Sequence, residues 1–265
     1  MAYTDYDTIG TGYDGTRQAD AYLLGRLWDL LALPAGARVL DVGCGTGNYT
    51  SALQVLGLSM TGVEPSERML AEARTKDPEV AWVTGSAEAL PIADGSFHGA
   101  IATLTTHHWT DLEQGFREVQ RALLPGSPFV LFLATPEQTG RYWLSHYFPD
   151  AIARSCEVLP SVPTTRSALE RAGFRIAAEE PYSIRPTLQD LFLYSAKEEP
   201  QRYLDEGFRK GISTFAALTG SDELNTGLQR LRADIDSGGW QKVRDRHRHE
   251  DGDYLFLKAM ADGGR

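Results

Sequence analysis

Three glycines stand at alternate positions in Gly43-Cys44-Gly45-Thr46-Gly47, directly after the short apolar run 38–42. A strand that turns straight into a helix needs backbone with positive φ, and a ligand approaches closely only where no Cβ intrudes. Glycine meets both requirements at low cost. The exposed N–H groups of the following helix favour an anionic group such as a carboxylate. The segment therefore predicts a strand, a ligand-binding loop and a helix.

The spacing of these glycines separates the loop from two other nucleotide-binding loops. The dinucleotide fingerprint G-x-G-x-x-G requires a glycine where this chain has Asn48. The P-loop requires Gly-Lys-Ser or Gly-Lys-Thr after the loop, and neither follows here. NAD and nucleoside triphosphates are therefore disfavoured as ligands.

Two acidic residues narrow the ligand further. Asp41 stands immediately before the loop, where a carboxylate suits an ammonium group. Glu64 ends the next predicted strand, where it can accept hydrogen bonds from two ribose hydroxyls. Together they imply a ligand that carries both a ribose and an amino acid.

Strands and helices alternate through the first half of the chain. The pattern predicts strands at 38–42, 59–64, 80–84, 97–104 and 129–134, and helices at 16–33, 49–56, 67–75 and 112–123, with Ser66 capping the third. Such alternation indicates a doubly wound α/β fold, a mostly parallel sheet with helices on both faces. Later strands at 174–178 and 253–259 would complete a seven-stranded Rossmann-like sheet whose last strand is antiparallel.

Between these later strands the pattern is mainly helical. Helices are predicted at 140–159 and 165–172, and 188–246 reads as almost wholly helical. We expect an N-terminal lid and cofactor-binding core at 1–136, a helical cap insertion at 137–162, and a core helix and sixth strand at 163–186. A second helical insertion at 187–247 and a last strand with its tail at 248–265 would follow. The insertions are expected to cover the carboxyl edge of the sheet, where open α/β sheets bind ligands.

Composition limits the partners. A net charge of -10 argues against binding to a nucleic-acid backbone, which needs clustered Lys and Arg. The basic run 242–249 is read as a solvated helix face, with an acidic substrate as the alternative. The two cysteines, Cys44 and Cys156, fit a reducing compartment, and no apolar stretch reaches the length of a membrane span. We expect a cytoplasmic protein without metal, membrane or nucleic-acid partners, and its oligomeric state stays open.

Four motifs resemble the class I S-adenosylmethionine-dependent methyltransferases, and among them the ubiquinone/menaquinone-type and other small-molecule enzymes. They lie at residues 39–47, 62–66, 85–91 and 97–109, and the resemblance covers about residues 35–135. It implies S-adenosylmethionine as cofactor, with S-adenosylhomocysteine as product. The cofactor contacts that it implies are Asp41, Gly43, Cys44, Gly45, Gly47, Glu64, Pro65, Met69, Ser86, Ala87, Glu88, Thr103 and Leu104.

The stretch 6–17 combines aromatic residues and glycines with one arginine, a composition that resembles the lid of related enzymes. Tyr13 and Arg17 are therefore expected to contact the cofactor or an acidic substrate. The alternative is that Tyr13 is a packing residue and Arg17 a solvated residue at a helix start.

Methyl transfer from a sulfonium is an in-line displacement, so alignment and desolvation can supply much of the catalysis and a base is optional. If the acceptor carries a proton, the candidate bases are His107, His108 and His146. The alternative for each histidine is a structural role. The candidate substrate contacts are Tyr13, His108, Trp109, Trp143 and Tyr147. Trp143 and Tyr147, one helical turn apart, could instead form the packed face of the cap.

The acceptor is expected to be a small molecule, methylated at O, N, S or C. An RNA or protein methyltransferase is the alternative within the same fold, which the acidic composition disfavours. A non-enzymatic scaffold that only binds S-adenosylmethionine is a third possibility, because fold and activity are separable.

Overall fold

The computed structural model describes residues 17–263. Within this range the chain forms two compact units. The sheet unit comprises residues 19–133, 161–180 and 255–263, and the helical unit comprises residues 17–18, 134–160 and 181–254.

A seven-stranded sheet has the strand order β3-β2-β1-β4-β5-β7-β6. The strands are β1 (Arg38–Val42), β2 (Ser59–Glu64), β3 (Ala81–Thr84), β4 (Gly99–Thr103), β5 (Pro128–Leu133), β6 (Phe174–Tyr182) and β7 (Tyr254–Ala261). The pairs from β3 through β5 are all parallel, and β7 runs antiparallel to β5. The predicted fold class is confirmed, because these residues form a doubly wound, mostly parallel sheet.

Five helices belong to the sheet unit: α1 (Ala21–Leu31), α2 (Asn48–Val55), α3 (Glu67–Lys76), α4 (Leu112–Ala122) and α8 (Val162–Arg171). Polar residues begin most of them. Asp20, Ser66, Asp111 and Ser161 each accept backbone N–H bonds at the helix start, which satisfies donors that have no partner inside the helix. The predicted cap at Ser66 is confirmed. Because β1 and β2 lead directly into α2 and α3, their carboxyl ends are held by rigid elements.

The core of the sheet unit lies between β1, β4, β5 and the helices α4 and α8. Phe116, Phe129 and Phe174 contact one another in sequence, with ring centroids 6.0 and 5.6 Å apart. All three side chains are buried. Burying a phenylalanine contributes about 1.5–3 kcal/mol, so this layer contributes to the stability of the sheet unit.

The helical unit contains short helices where one long helix is predicted. Residues 140–159 divide between α6 (Leu144–Tyr147) and α7 (Pro149–Val158), with α5 (Pro136–Thr139) before them. Pro149 disfavours helical backbone at the preceding residue, and Phe148 accordingly leaves the helical region with φ -132° and ψ 61°. The prediction of a continuous helix is therefore wrong at 140–143 and at Phe148.

The segment predicted as almost wholly helical from 188 begins instead with turns. The first helical segment is the 3₁₀ helix Pro200–Leu204. It is followed by α9 (Glu206–Lys210), the π-helical turn Thr214–Leu218, α10 (Ser221–Ser237) and α11 (Gly239–Arg246). Before it, Leu188, Phe192 and Tyr194 are buried from successive turns. Burial of these side chains, rather than helix propensity, determines the backbone there.

Aromatic side chains form the interior of the helical unit. The Tyr142 and Tyr194 rings stack with centroids 3.9 Å apart and an interplanar angle of 6°. Trp143 contacts Tyr147, Tyr203 and Trp240 edge to face. Among the helices of residues 17–263, none combines the length and apolar character needed to cross a membrane.

Candidate functional site

The glycine loop joins β1 to α2 in left-handed backbone. Gly43, Gly45 and Gly47 have φ of 74°, 56° and 77°. The Gly43 and Cys44 amides both donate to the Val63 carbonyl, at 2.8 and 3.1 Å. These bonds tie the loop to the end of β2, and the positive φ values explain why only glycine fits at low cost.

Side chains pack against two of these glycines and leave the third more open. A Cβ on Gly43 would overlap Thr105, and a Cβ on Gly47 would overlap the Trp82 ring. At Gly45 the nearest heavy atom to such a Cβ would be the Met69 sulfur, at 3.8 Å. The middle of the loop therefore presents bare backbone beside Met69.

Asp41 is buried at the end of β1, with 1% of its surface exposed. Its Oδ2 accepts a hydrogen bond of 2.6 Å from the Thr50 hydroxyl. Its Oδ1 is buried without a hydrogen-bond partner within residues 17–263. Burial raises the pKa of the carboxyl to about 7, and the charge of Glu64 adds to the rise while the Thr50 bond opposes it.

The unsatisfied Oδ1 is an acceptor that a ligand can use. Leaving a buried polar atom without a partner costs about 1–3 kcal/mol, which an ammonium group bound there would recover. The residues present thus fit a ligand with a cationic amino group next to the glycine loop.

Glu64 connects the loop with the start of α3. Its Oε2 accepts from the Gly45 amide and its Oε1 from the Ser66 amide, both at 3.1 Å. The side chain is 7% exposed. A carboxylate offers about four lone-pair sites, so holding the loop is compatible with accepting hydrogen bonds from ribose hydroxyls.

Strained backbone follows β4, the strand that pairs with β1. Leu104 has φ 50°, and its amide donates to the Phe132 carbonyl at 2.8 Å. A non-glycine residue in this region costs on the order of 1–3 kcal/mol and is characteristic of functional sites. The left-handed backbone at Leu104 turns the chain, and Thr105 packs against Gly43. The predicted residues Thr103 and Leu104 therefore lie beside the loop.

Two histidines lie in the 3₁₀ turn Thr106–His108 that comes next. Their ring centroids are 3.9 Å apart. Burial lowers the pKa of His108 to about 4, because the charged imidazolium is disfavoured away from water. His108 is therefore neutral at physiological pH.

The predicted residues Trp109 and Glu88 hold the connection between β4 and α4. The Trp109 ring lies against Gly115 and meets the Phe116 ring at 5.4 Å. Glu88 Oε1 accepts from the Thr110 amide at 2.6 Å and from its hydroxyl at 3.0 Å. Both side chains thus have structural contacts at the start of α4.

The remaining predicted cofactor residues lie along the same strand ends. Met69 is buried in the first turns of α3, and Ala87 is buried next to Ser86, which forms an isolated bridge with Ala89. Pro65 separates Glu64 from the cap residue Ser66. The Cys44 side chain is half-buried in the loop, and burial raises the pKa of its thiol well above the ordinary value.

Three predicted residues lie in or directly before α6. Trp143 and Tyr147 are each 1% exposed, within the aromatic interior, and the Tyr147 hydroxyl donates to Asp234 at 2.9 Å. The structure therefore places Trp143 and Tyr147 in the packed interior, as the alternative interpretation has it. His146 lies 3.2 Å from an Arg230 nitrogen, and burial together with that arginine lowers its pKa.

Arg17 forms an ion pair with Asp190, whose side chain is 3% exposed. The alternative of a solvated Arg17 does not hold, because Asp190 pairs with its guanidinium within the helical unit. The predicted contact of Arg17 with the cofactor or an acidic substrate stays a prediction. Tyr13 lies outside the described residues.

Sequence reasoning missed Thr50, Thr105, Trp82 and Lys76. Lys76 Nζ donates to the Thr46 carbonyl at 2.9 Å, so a lysine from the end of α3 does reach the glycine loop. Thr50, Trp82 and Lys76 lie outside the four motifs and reach the site only through the fold, whereas Thr105 lies within the motif at 97–109. One signal was readable for Trp82: Gly62, in the middle of a predicted strand, indicates a close neighbour on the adjacent strand.

Comparison with known proteins gives consistent matches. A family model described as a methyltransferase domain matches residues 40–131. A demethylmenaquinone methyltransferase of Chlorobaculum parvum is 30% identical over 171 residues, which are 57% of this chain and 71% of that protein. A ubiquinone/menaquinone biosynthesis C-methyltransferase of Rubrivivax gelatinosus is 28% identical over 54% of this chain and 58% of its own length.

A solved structure matches nearly the whole chain. It is a putative methyltransferase from an antibiotic biosynthesis pathway of Anabaena variabilis, with a TM-score of 0.82 and 35% identity. The match covers 92% of this chain and 98% of that one. The likeness therefore extends over the helical segments as well as the sheet.

Proposed function

We propose that this chain, which belongs to the class I S-adenosylmethionine-dependent methyltransferases of the ubiquinone/menaquinone-type group, methylates a small-molecule acceptor. The main support for a methyl-donor site is the buried Asp41 next to the glycine loop. Its Oδ1 has no hydrogen-bond partner within residues 17–263. This carboxylate would receive the ammonium group of the methyl donor.

The other roles follow from the contacts around the loop. Glu64 would accept hydrogen bonds from the ribose hydroxyls, while the bare backbone at Gly45 would let the donor approach closely. Met69 and Ala87 would enclose the adenine. S-adenosylmethionine, when bound, supplies a methyl group on a sulfonium, which is a good leaving group.

The residues of the chain then have to align the acceptor and exclude water. If the acceptor loses a proton, a neutral histidine near the end of β4 is the candidate acceptor of that proton. A base with a pKa of about 4 is weak, so His108 is better suited to a hydrogen bond, and His107 becomes the preferred base.

The acceptor class is supported by the relatives. Two of them carry names of enzymes in quinone biosynthesis, and the one matched over nearly its full length is assigned to an antibiotic pathway. An aromatic or quinol-type ring is therefore the first class to test, with O, N, S and C acceptors all included. The net charge of -10 weighs against RNA.

The cofactor site is tested by Asp41→Asn and Glu64→Gln. Each should weaken S-adenosylhomocysteine binding by at least about tenfold, on the order of 1.4 kcal/mol, because a charge-assisted hydrogen bond is lost. Calorimetry gives the dissociation constants. Glu79→Gln, an exposed acid after α3, is the control that should leave affinity unchanged. Unchanged affinity in both site variants would contradict the assignment.

Transfer of a radiolabelled methyl group separates the acceptor classes. We expect label in a pool of hydroquinones, phenols and small amines, and none in peptide or RNA pools. Label in RNA or peptide would overturn the small-molecule proposal. Tight cofactor binding with no label in any pool would favour the scaffold alternative.

A further inference from the structure

Trp82 packs behind the glycine loop, outside the residues that the motifs single out. It pairs with Gly62 in the parallel register of β2 and β3. A Cβ on Gly62 would come within 2.6 Å of the Trp82 ring, and a Cβ on Gly47 would overlap it. One indole therefore contacts both the strand that ends at Glu64 and the residue that caps α2.

The orientation of this ring is fixed by a hydrogen bond. Trp82 Nε1 donates to the Asp77 carbonyl at 2.8 Å, at the end of α3. The bond holds the far edge of the indole in place while its six-membered ring faces the two glycines. Rotation of the ring away from Gly47 would break this hydrogen bond.

The residue before Asp77 reaches the same loop by a different interaction. Lys76 Nζ donates to the Thr46 carbonyl at 2.9 Å and lies 3.4 Å from the Thr46 hydroxyl. It also donates to the Asn48 side chain, in the first turn of α2. An indole and an ammonium group, both anchored at the end of α3, therefore contact adjacent residues of the loop.

We propose that Trp82 and Lys76 are positioning residues that hold the glycine loop in its binding shape before the cofactor arrives. Fixing the backbone of a residue costs conformational entropy, and glycine loses more freedom than any other residue. A loop that is ordered in advance does not lose this freedom on binding, so its affinity for the ligand is higher. The inference rests on the cofactor site described above.

The first test measures S-adenosylhomocysteine affinity in Trp82→Leu and Lys76→Met. We expect each dissociation constant to rise about tenfold, with Trp82→Phe and Lys76→Arg intermediate because they keep part of the contact. Trp28→Leu, the same substitution in α1, is the matched control. Turnover at saturating donor should change less than the KM for the donor, since no reacting atom is touched.

The second test uses the protein without cofactor. Hydrogen exchange of the amides at 43–48 should be faster in Trp82→Leu than in the wild type, while α8 should exchange at the wild-type rate. Circular dichroism and thermal unfolding establish that the variants are folded. If Trp82→Leu fails to fold, Lys76→Met carries both measurements.

A double-variant cycle adds a test of the packing itself. Gly62→Ala should weaken cofactor binding by displacing Trp82 and the Cys44 sulfur, and the same change in a Trp82→Leu background should have a smaller effect because only the contact with Cys44 remains. Affinity within twofold of the wild type for Trp82→Leu and Lys76→Met, with unchanged exchange at 43–48, would overturn the inference. Failure of the wild type itself to bind S-adenosylhomocysteine would instead contradict the cofactor site.

Discussion

Burial of Asp41 links its protonation to the stability of the ligand-free protein. The folded state raises the pKa of this carboxyl from 3.8 to about 7, so the folded chain keeps a proton that the unfolded chain loses between these values. This contribution to stability is fully present below pH 3.8 and is lost as the pH rises through 7.

Asp41→Asn removes this pH-dependent contribution. Between pH 5 and 8, the free energy of unfolding should fall less in the variant than in the wild type, by on the order of 2 kcal/mol in urea titrations. An identical pH dependence in both proteins would contradict the assignment.

The same carboxyl predicts the opposite trend for cofactor binding. An ammonium group is best bound by the ionised form, so S-adenosylhomocysteine affinity should rise as the pH passes about 7. Thr50→Val removes the hydrogen bond that lowers this pKa, and the midpoint should therefore move to higher pH. Calorimetry from pH 5.5 to 9 measures both proteins. Asp41→Asn is the control, in which the midpoint should vanish, and a Thr50→Val midpoint at or below the wild-type value would contradict the role of Thr50.

Residues were predictable from the sequence where local backbone chemistry decides their identity. Positive φ requires the glycines at 43, 45 and 47, and that requirement is visible as spacing. Thr50 and Trp82 could not be found in this way, because Thr50 reaches Asp41 through a helix and Trp82 reaches Gly47 across two strands. Their positions depend on the assembled fold, which single-residue patterns do not encode.

Helices and strands were predictable where a single hydrophobic pattern extends over the whole element. The parallel strands β1 and β2 have the predicted bounds, because buried parallel strands are short apolar runs. The segment 140–159 failed because aromatic residues at helical spacing suggested one helix, whereas Pro149 and packing of the Trp143 ring divide it. Local periodicity could not predict the turns at 188–199, where burial of Phe192 and Tyr194 fixes the backbone.

Helix packing in the sheet unit gives a matched pair of glycine substitutions. A Cβ on Gly25 in α1 would have no atom within 4 Å, whereas a Cβ on Gly115 in α4 would come within 2.5 Å of the Trp109 ring. Gly25→Ala should stabilise the protein by roughly 0.5–1 kcal/mol through helix propensity. Gly115→Ala should destabilise it by about 1–3 kcal/mol through overpacking. Chemical denaturation distinguishes them, and equal effects of the two changes would show that Trp109 does not pack as described.

For the whole molecule, the site is assembled from strand ends that are far apart in sequence. Asp41 lies at the end of β1, Glu64 ends β2 and Leu104 follows β4, and these three strands are neighbours in the sheet. A ligand that contacts all three should stabilise the folded chain by mass action, about 2.7 kcal/mol at a concentration of 100 times the dissociation constant. The ligand should stabilise most strongly the backbone around Asp41, Glu64 and Leu104.

Hydrogen exchange with and without S-adenosylhomocysteine measures that distribution. We expect added protection in peptides covering 41–50, 62–69 and 103–108, because their amides lie in or beside the loop and the strand ends that would hold the ligand. Peptides of α8 serve as the internal control, since that helix packs against α4 on the core of the sheet unit. Protection at 41–50 alone would limit the ligand to the glycine loop and exclude the role of Glu64. Protection at all three segments requires a ligand long enough to extend from β4 across β1 to β2, as a methionine joined to a nucleoside does.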